Sequence, residues 1–301
     1  MGDIIHTLPA VASLKHSIPG SHVTWVVEPQ WEPLLAGNPY VDERVLLDRD
    51  SATGLLRSRR DLQREPFDFA VDFQGLMKSA LVASTANAAR LYGFDSSQVR
   101  ETAAAIFYTN RTLSTASHVV DRNLDLARAA GAANPLIVFP IPAGEPEQPL
   151  PEGEFVLACP LAGWSSKQWP LESYTQLAKR LKMPLVVNGP AYAAETLDKI
   201  DGAYRHISEL PGLIYATRRA AAVVGVDSGP MHLAAALQKP GVAIFGPTDP
   251  ERNGPYGKSM QVLRSPDAGT SYKRHTETDQ SMRAITPGEV FAALEALLQP
   301  A

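Results

Sequence analysis

Ala222-Val223-Val224-Gly225-Val226-Asp227-Ser228-Gly229-Pro230-Met231-His232-Leu233-Ala234-Ala235-Ala236-Leu237 is the stretch from which the fold is read. Its first five residues carry no charged or polar side chain, the composition of a strand buried on both faces. Asp227-Ser228-Gly229 interrupts the run, and an apolar helix over 231–237 follows. A strand, a tight turn and a helix make half of a βαβ unit.

The same rhythm extends outward in both directions. Upstream, 155–159 reads as a buried strand, and Tyr174, Leu177, Ala178 and Leu181 fall at helical spacing. A strand over 184–187 turns at Asn188-Gly189-Pro190, with helices near 193–200 and 213–220. Downstream, 242–245 is another apolar strand. Thr286-Pro287-Gly288-Glu289 is a capping box with proline at the first helical position, and Val290, Leu294, Leu297 and Leu298 form the apolar face of a last helix. Alternating strands and helices imply a parallel sheet covered on both faces, with ligands bound beyond the carboxyl ends of its strands.

Toward the N terminus the pattern repeats less cleanly. Ile4, Leu8 and Val11 suggest a helix, Pro19-Gly20 a turn, and 22–27 a strand. A second strand is expected over 69–73, a helix from Leu76 to about Ala89, a short strand over 91–94 and a helix over 119–130. Residues 100–111 are mixed. The opening helix lacks the strand that a βαβ unit would put before it. Between Ala133 and Glu152 lie Pro135, Pro140, Pro142, Pro146, Pro149 and Pro151, the composition of an inter-domain linker. The expected organisation is therefore 1–150, 151–285 and a closing helix over 286–301.

Composition narrows the function. A chain of 301 residues suits two domains, and a net charge of −4 gives no general attraction to nucleic acid. Cys159 is the single cysteine, so disulfide frameworks and cysteine-based zinc sites are excluded. The seven histidines show no ligand spacing, and no metal is expected. No run approaches the ~18 apolar residues of a spanning helix, and a signal peptide is not evident at the start. The phosphate-loop, dinucleotide, zinc-protease and nucleophile-elbow motifs are all missing.

Three loops fall at one expected sheet edge. Asp227-Ser228-Gly229 opens a helix whose N–H groups and dipole favour an anion, and Gly229 admits a phosphate to the backbone. Read without its context, the same turn is equally a helix cap. Ser165-Ser166-Lys167 offers two hydroxyls and a mobile cation, where a lone loop lysine is more commonly solvated. Gly246-Pro247-Thr248-Asp249-Pro250 supplies the third loop. His232 would lie near the helix start. Asp3, beside Gly2 at the head of the first helix, is a candidate base, with a plain N-cap as its alternative. Arg49, Arg57, Arg59, Arg60, Arg64, Arg100 and Arg111 concentrate cations in the N-terminal half. They form either a solvated face or a grip for phosphates and carboxylates. Asp72-Phe73-Gln74-Gly75 is a further strand-to-helix loop, structural or site-lining.

Taken in order, several segments resemble the lipopolysaccharide heptosyltransferases of glycosyltransferase family 9. They are Met1-Gly2-Asp3-Ile4-Ile5-His6-Thr7-Leu8-Pro9, Trp25-Val26-Val27-Glu28, Asp72-Phe73-Gln74-Gly75-Leu76, Lys167-Gln168-Trp169-Pro170, Asp227-Ser228-Gly229 with His232, and Gly246-Pro247-Thr248-Asp249-Pro250. The first two are most similar to the heptosyltransferase I branch. The resemblance implies a GT-B fold, two Rossmann-like domains facing across a cleft, with the final helix packing back toward the N-terminal domain. It implies inverting, metal-independent transfer of L-glycero-D-manno-heptose from ADP-heptose to the Kdo of the lipid A inner core.

Carried residue by residue, the resemblance makes Asp3 the general base. It assigns Lys167, Asp227, Ser228, Gly229 and His232 to the donor diphosphate and sugar. Relatives often carry a threonine pair where this chain has Ala162-Gly163, so those hydroxyl contacts are either lost or replaced by Ser165 and Ser166. Glu195, two positions past Ala193, is the candidate for the donor ribose. Arg100 and Arg49 fall on the acceptor side. No cofactor and no nucleic acid are implied; the location is cytoplasmic, with peripheral contact at the inner membrane. Relatives begin with a strand before the Met-Gly-Asp loop, so the chain reads as shortened at its start. A related transferase with another acceptor, or a nucleotide-sugar binder without turnover, are the competing readings.

Overall fold

The computed structural model describes residues 1–48, 52–273 and 275–299. By its internal contacts the chain forms two compact units, one of Met1–Ile5 with Ala143–Ala301 and one of His6–Pro142.

The larger unit is built on strands β6 (Val156–Cys159), β7 (Leu185–Gly189), β8 (Tyr204–Ile207), β9 (Ala222–Val226), β10 (Gly241–Phe245) and β11 (Met260–Arg264). They form one sheet in the order β11-β10-β9-β6-β7-β8, every neighbouring pair parallel. Starting from β6 the chain winds outward through β7 and β8, then returns to the other side of β6 for β9. The direction reverses between β6 and β9, and that is where a doubly wound sheet opens its binding crevice. Helices α5 (Leu171–Ala178), α6 (Ala194–Leu197), α7 (Leu210–Arg219), α8 (Gly229–Ala236), α9 (Pro250–Asn253), α10 (Gln280–Ala284) and α11 (Pro287–Leu298) connect and cover these strands.

The core of this unit explains why its sequence reads so clearly. Strands β6, β7, β9 and β10 are buried along their whole length. Trp169 is buried, donates from Nε1 to the Ile285 carbonyl at 2.9 Å, and meets Tyr174 edge-on at 4.8 Å. Thr286 caps α11 through the expected capping box, with Glu289 accepting from the Thr286 N–H at 2.7 Å. The helix sends Val290, Ala293 and Leu294 into the same core as β9 and β10.

Linker residues are strapped to this unit well before Leu150. Glu145 N donates to the Pro211 carbonyl, and the Glu147 carboxylate accepts from Glu209 N and Gly212 N at 2.7 and 2.8 Å. Glu147 thereby caps α7 from the linker, satisfying N–H groups that the helix leaves open. The compact units accordingly divide between Pro142 and Ala143.

The smaller unit holds most of α1 (Gly2–Ser17), then β1 (Thr24–Val27), β2 (Glu43–Leu46), α2 (Ala52–Leu62), β3 (Ala70–Val71), α3 (Met77–Thr85), β4 (Leu91–Phe94), β5 (Asn110–Thr112) and α4 (Val119–Ala129). Its strands make two parallel sheets, β1-β2 and β3-β4-β5, and among the described residues no strand joins them. Ala10 and Leu14 of α1 pack with Tyr92 and Phe94 of β4 and with Leu126 and Ala127 of α4. Strands β2, β8 and β11, which no apolar run announces, all lie at sheet edges.

Candidate donor and acceptor sites

The loops that follow β6 and β9 come from adjacent strands, so their residues meet at the point where the sheet changes direction. Lys167 ends a 3-10 turn, Ser165–Lys167, after β6. Asp227 follows β9 directly. Lys167 Nζ lies 2.9 Å from Asp227 Oδ2, and His232 Nε2 lies 3.8 Å from Asp227 Oδ1. The Lys167 side chain is 15% exposed, Asp227 9% and His232 7%, so this is a largely desolvated cluster and not a surface ion pair. Such a pair is weak evidence for stability, because burying both charges costs nearly what their attraction returns. Its value lies in keeping a cation fixed beside a helix start.

That helix start does not behave as a simple cap. Ser228 occupies the N-cap position with extended backbone, yet its hydroxyl makes no capping bond. Ser228 Oγ is buried without a partner, as are Ser166 Oγ and Thr248 Oγ1. Buried hydroxyls are normally satisfied. Three orphans on the loops after β6, β9 and β10 lie at one edge of one sheet, together with the N-terminus of α8. Donors, a cation and a helix dipole assembled in this way suit a polyanion.

The head of α1 meets the same place. A Cβ added at Gly2 would stand 3.0 Å from His232 Cδ2, and one added at Gly229 would stand 2.8 Å from Met1 Sδ. Glycine at both positions lets the two helix starts close on each other. Asp3 lies in the first turn of α1, half-buried, one residue past that contact.

Lys167, Asp227 and His232 are thus brought together, with Ser166, Ser228 and Gly229 on the same loops. Ser165 is exposed at the start of its turn. Glu195 is exposed on α6, after β7, one strand farther from β9. In the smaller unit Arg100 is exposed in the loop after β4, while Arg49 lies outside the described residues. Trp164 is a participant that the motifs do not single out: Lys167 Nζ sits 4.7 Å from its ring centroid. The signal was available in the spacing of Trp164 and Lys167 within one tight turn, which aligns a cation over an aromatic face. Thr248 stands in a loop already noted, but its orphaned hydroxyl is visible only in three dimensions.

Several known proteins are similar to this chain over most of its length. The family described as Glycosyltransferase family 9 (heptosyltransferase) matches residues 55–282. Lipopolysaccharide heptosyltransferase 1 of Escherichia coli (strain K12) is 29% identical over 294 residues, covering 88% of this chain and 91% of the relative. The solved structure of E. coli heptosyltransferase WaaC with ADP is similar at a TM-score of 0.78 and 25% identity, covering 98% of this chain and 96% of that one. WaaC with ADP-2-deoxy-2-fluoro heptose gives 0.77 and 26%, with the same coverage.

Proposed function

Since the chain belongs to glycosyltransferase family 9, the heptosyltransferases, we propose that it moves L-glycero-D-manno-heptose from ADP-heptose to the Kdo of the lipid A inner core. The observation that carries this reading is the Lys167–Asp227 contact of 2.9 Å beside the N-terminus of α8. The GT-B likeness to WaaC solved with ADP and with an ADP-heptose analogue supports the choice of donor.

In this reading the diphosphate of the donor rests on the α8 N-terminus and on Lys167. The hydroxyls of Ser166 and Ser228 complete their hydrogen bonding with it, and Ser165 adds a donor at the rim. As the bond from the anomeric carbon to the diphosphate breaks, charge grows on the leaving oxygen, and fixed donors already aimed there stabilise it. Asp227 orients Lys167 and His232, which faces the heptose. Glu195 reaches the ribose. Asp3 takes the proton from the attacking Kdo hydroxyl, and one displacement from the far face inverts the anomeric centre. Arg100, with Arg49, grips the acidic groups of the acceptor in bidentate fashion. The reaction is read as independent of metal.

The acceptor's lipid anchor brings the enzyme to the inner-membrane surface on the cytoplasmic side. No helix among the described residues is long and apolar enough to cross a membrane. On α2, Leu55 and Leu56 are exposed beside Arg57, Arg59 and Arg60, a composition suited to anionic head groups.

Calorimetric titration tests the donor reading. ADP-heptose and ADP are expected to bind and to compete, and UDP-sugars to bind far more weakly. Equal affinity for UDP- and ADP-sugars would remove the basis for naming the donor.

A further inference from the structure

In the smaller unit, Asp72 at the end of β3 is a buried carboxylate around which the following loop is folded. Its Oδ1 accepts from Gln74 N at 2.9 Å and Gly75 N at 3.4 Å. Its Oδ2 accepts from Tyr108 Oη at 2.7 Å and lies 2.8 Å from Ser79 Oγ. Ser79 Oγ also accepts from Leu76 N at 3.2 Å, closing the start of α3. Burial, with the Asp72 charge, pushes ionisation of the Tyr108 hydroxyl far up, so it stays a donor. The loop over 72–76 is therefore fixed from below.

This loop in turn holds the one that follows β4. Gly75 has φ +65°, and a Cβ there would lie 3.1 Å from Val99 Cβ, so the two loops touch backbone to side chain. Glu101 N donates to the Gly75 carbonyl at 3.1 Å, and the Glu101 carboxylate accepts from Met77 N at 2.6 Å. Met77 is the first residue of α3, where a carboxylate also meets the positive end of the helix dipole. On the other side Gln98 exchanges two hydrogen bonds with the Ser114 backbone at 2.7 and 2.9 Å. Arg100 is thus bracketed by Val99 and Glu101, both pinned to the Gly75 loop, while its own side chain is exposed. Both loops lie at the carboxyl edge of the β3-β4-β5 sheet, the edge at which such sheets meet ligands.

We propose that Glu101 is a positioning residue for the acceptor, latching the segment that carries Arg100 onto the Asp72-ordered loop. The proposal rests on the reading of Arg100 as acceptor-binding. Glu101 is itself exposed and contributes nothing to a hydrophobic core, so its two backbone ties serve placement. A displacement on the order of 1 Å in a binding group is enough to change steady-state constants substantially.

Steady-state kinetics on the full chain, with ADP-heptose and Kdo-lipid A, test it. Glu101→Ala is expected to raise the acceptor KM roughly tenfold, leaving kcat and the ADP-heptose KM unchanged, with a small fall in melting temperature from the lost contact at the α3 N-terminus. Glu101→Gln keeps an acceptor oxygen for Met77 N and should restore most of the loss. Arg100→Ala should raise the acceptor KM on its own, and the double variant should be no worse than Arg100→Ala. An unchanged acceptor KM in Glu101→Ala, beside a raised one in Arg100→Ala, would overturn the latch while leaving the role of Arg100 intact. Additive losses in the double variant would overturn it too. No effect of Arg100→Ala would instead remove the acceptor reading, and the latch with it.

Discussion

Lys167 Nζ sits 2.9 Å from Asp227 Oδ2, across the junction of β6 and β9 where the sheet reverses direction. The aspartate takes only part of the ammonium's donor capacity, since a lysine has three N–H groups. The Trp164 ring below it limits where the remaining donors can point. An anion arriving at the α8 N-terminus meets a cation that is already in place.

Removing that cation gives the first prediction. A hydrogen bond to a charged group contributes about 1.5–3 kcal/mol, so Lys167→Ala should weaken ADP-heptose binding by roughly tenfold to a hundredfold. It also strands Asp227 in a desolvated site, and the melting temperature should fall modestly. Calorimetric titration with ADP-heptose reads the first effect. An unchanged dissociation constant would place the diphosphate elsewhere.

Two aromatic neighbours in the larger unit should respond oppositely to losing a polar atom. Trp169→Phe deletes the bond to the Ile285 carbonyl and leaves a buried acceptor unpaired, a cost of about 1–3 kcal/mol. Tyr174→Phe deletes a buried hydroxyl that has no partner, and stability should hold or rise by up to about 1 kcal/mol. Urea denaturation of the two variants checks both signs.

His206 predicts a pH dependence of stability. Its side chain is fully buried, with Asn188 Nδ2 2.9 Å from Nδ1 and the Ser208 hydroxyl on the same amide. Burial holds the imidazole below its ordinary pKa, opposed by the Glu147 charge and a bond with the Gln148 backbone. The unfolded chain protonates near pH 6.5 while the native state does not, so the native state binds fewer protons. Stability should therefore fall as pH drops through about 6.5 and level off below the native pKa. Denaturation midpoints at pH 7.5, 6.5 and 5.5 should show the fall, and His206→Asn should flatten it. Parallel slopes in the two proteins would assign the dependence to other groups.

The contrast between central and edge strands shows what was legible in the sequence. Strands β6, β9 and β10 are buried on both faces and stand out as apolar runs. Tyr204-Arg205-His206-Ile207 and Glu43-Arg44-Val45-Leu46 are edge strands with exposed charges, and neither periodicity nor hydropathy marks them. Strand β7 also runs on through Asn188-Gly189, whose residues suggest a turn, because the Asn188 amide finds His206 on the neighbouring strand and Ser208 just beyond its end. At the site, the motifs located Lys167 and Asp227 separately. Their contact depends on β6 lying beside β9, a crossover order that no local pattern encodes. The orphaned hydroxyls of Ser166, Ser228 and Thr248 and the Gly2–His232 approach were invisible for the same reason.

Heptosyl transfer with Asp3 as base has its sharpest test in ADP release by the full chain. ADP is expected only when ADP-heptose and Kdo-lipid A are both present, with the product one heptose heavier by mass. Asp3→Asn is expected to lower kcat by about 10²- to 10⁴-fold, with donor affinity retained. Release that does not require the acceptor would rule out heptosyl transfer to Kdo, and wild-type turnover by Asp3→Asn would rule out Asp3 as the base.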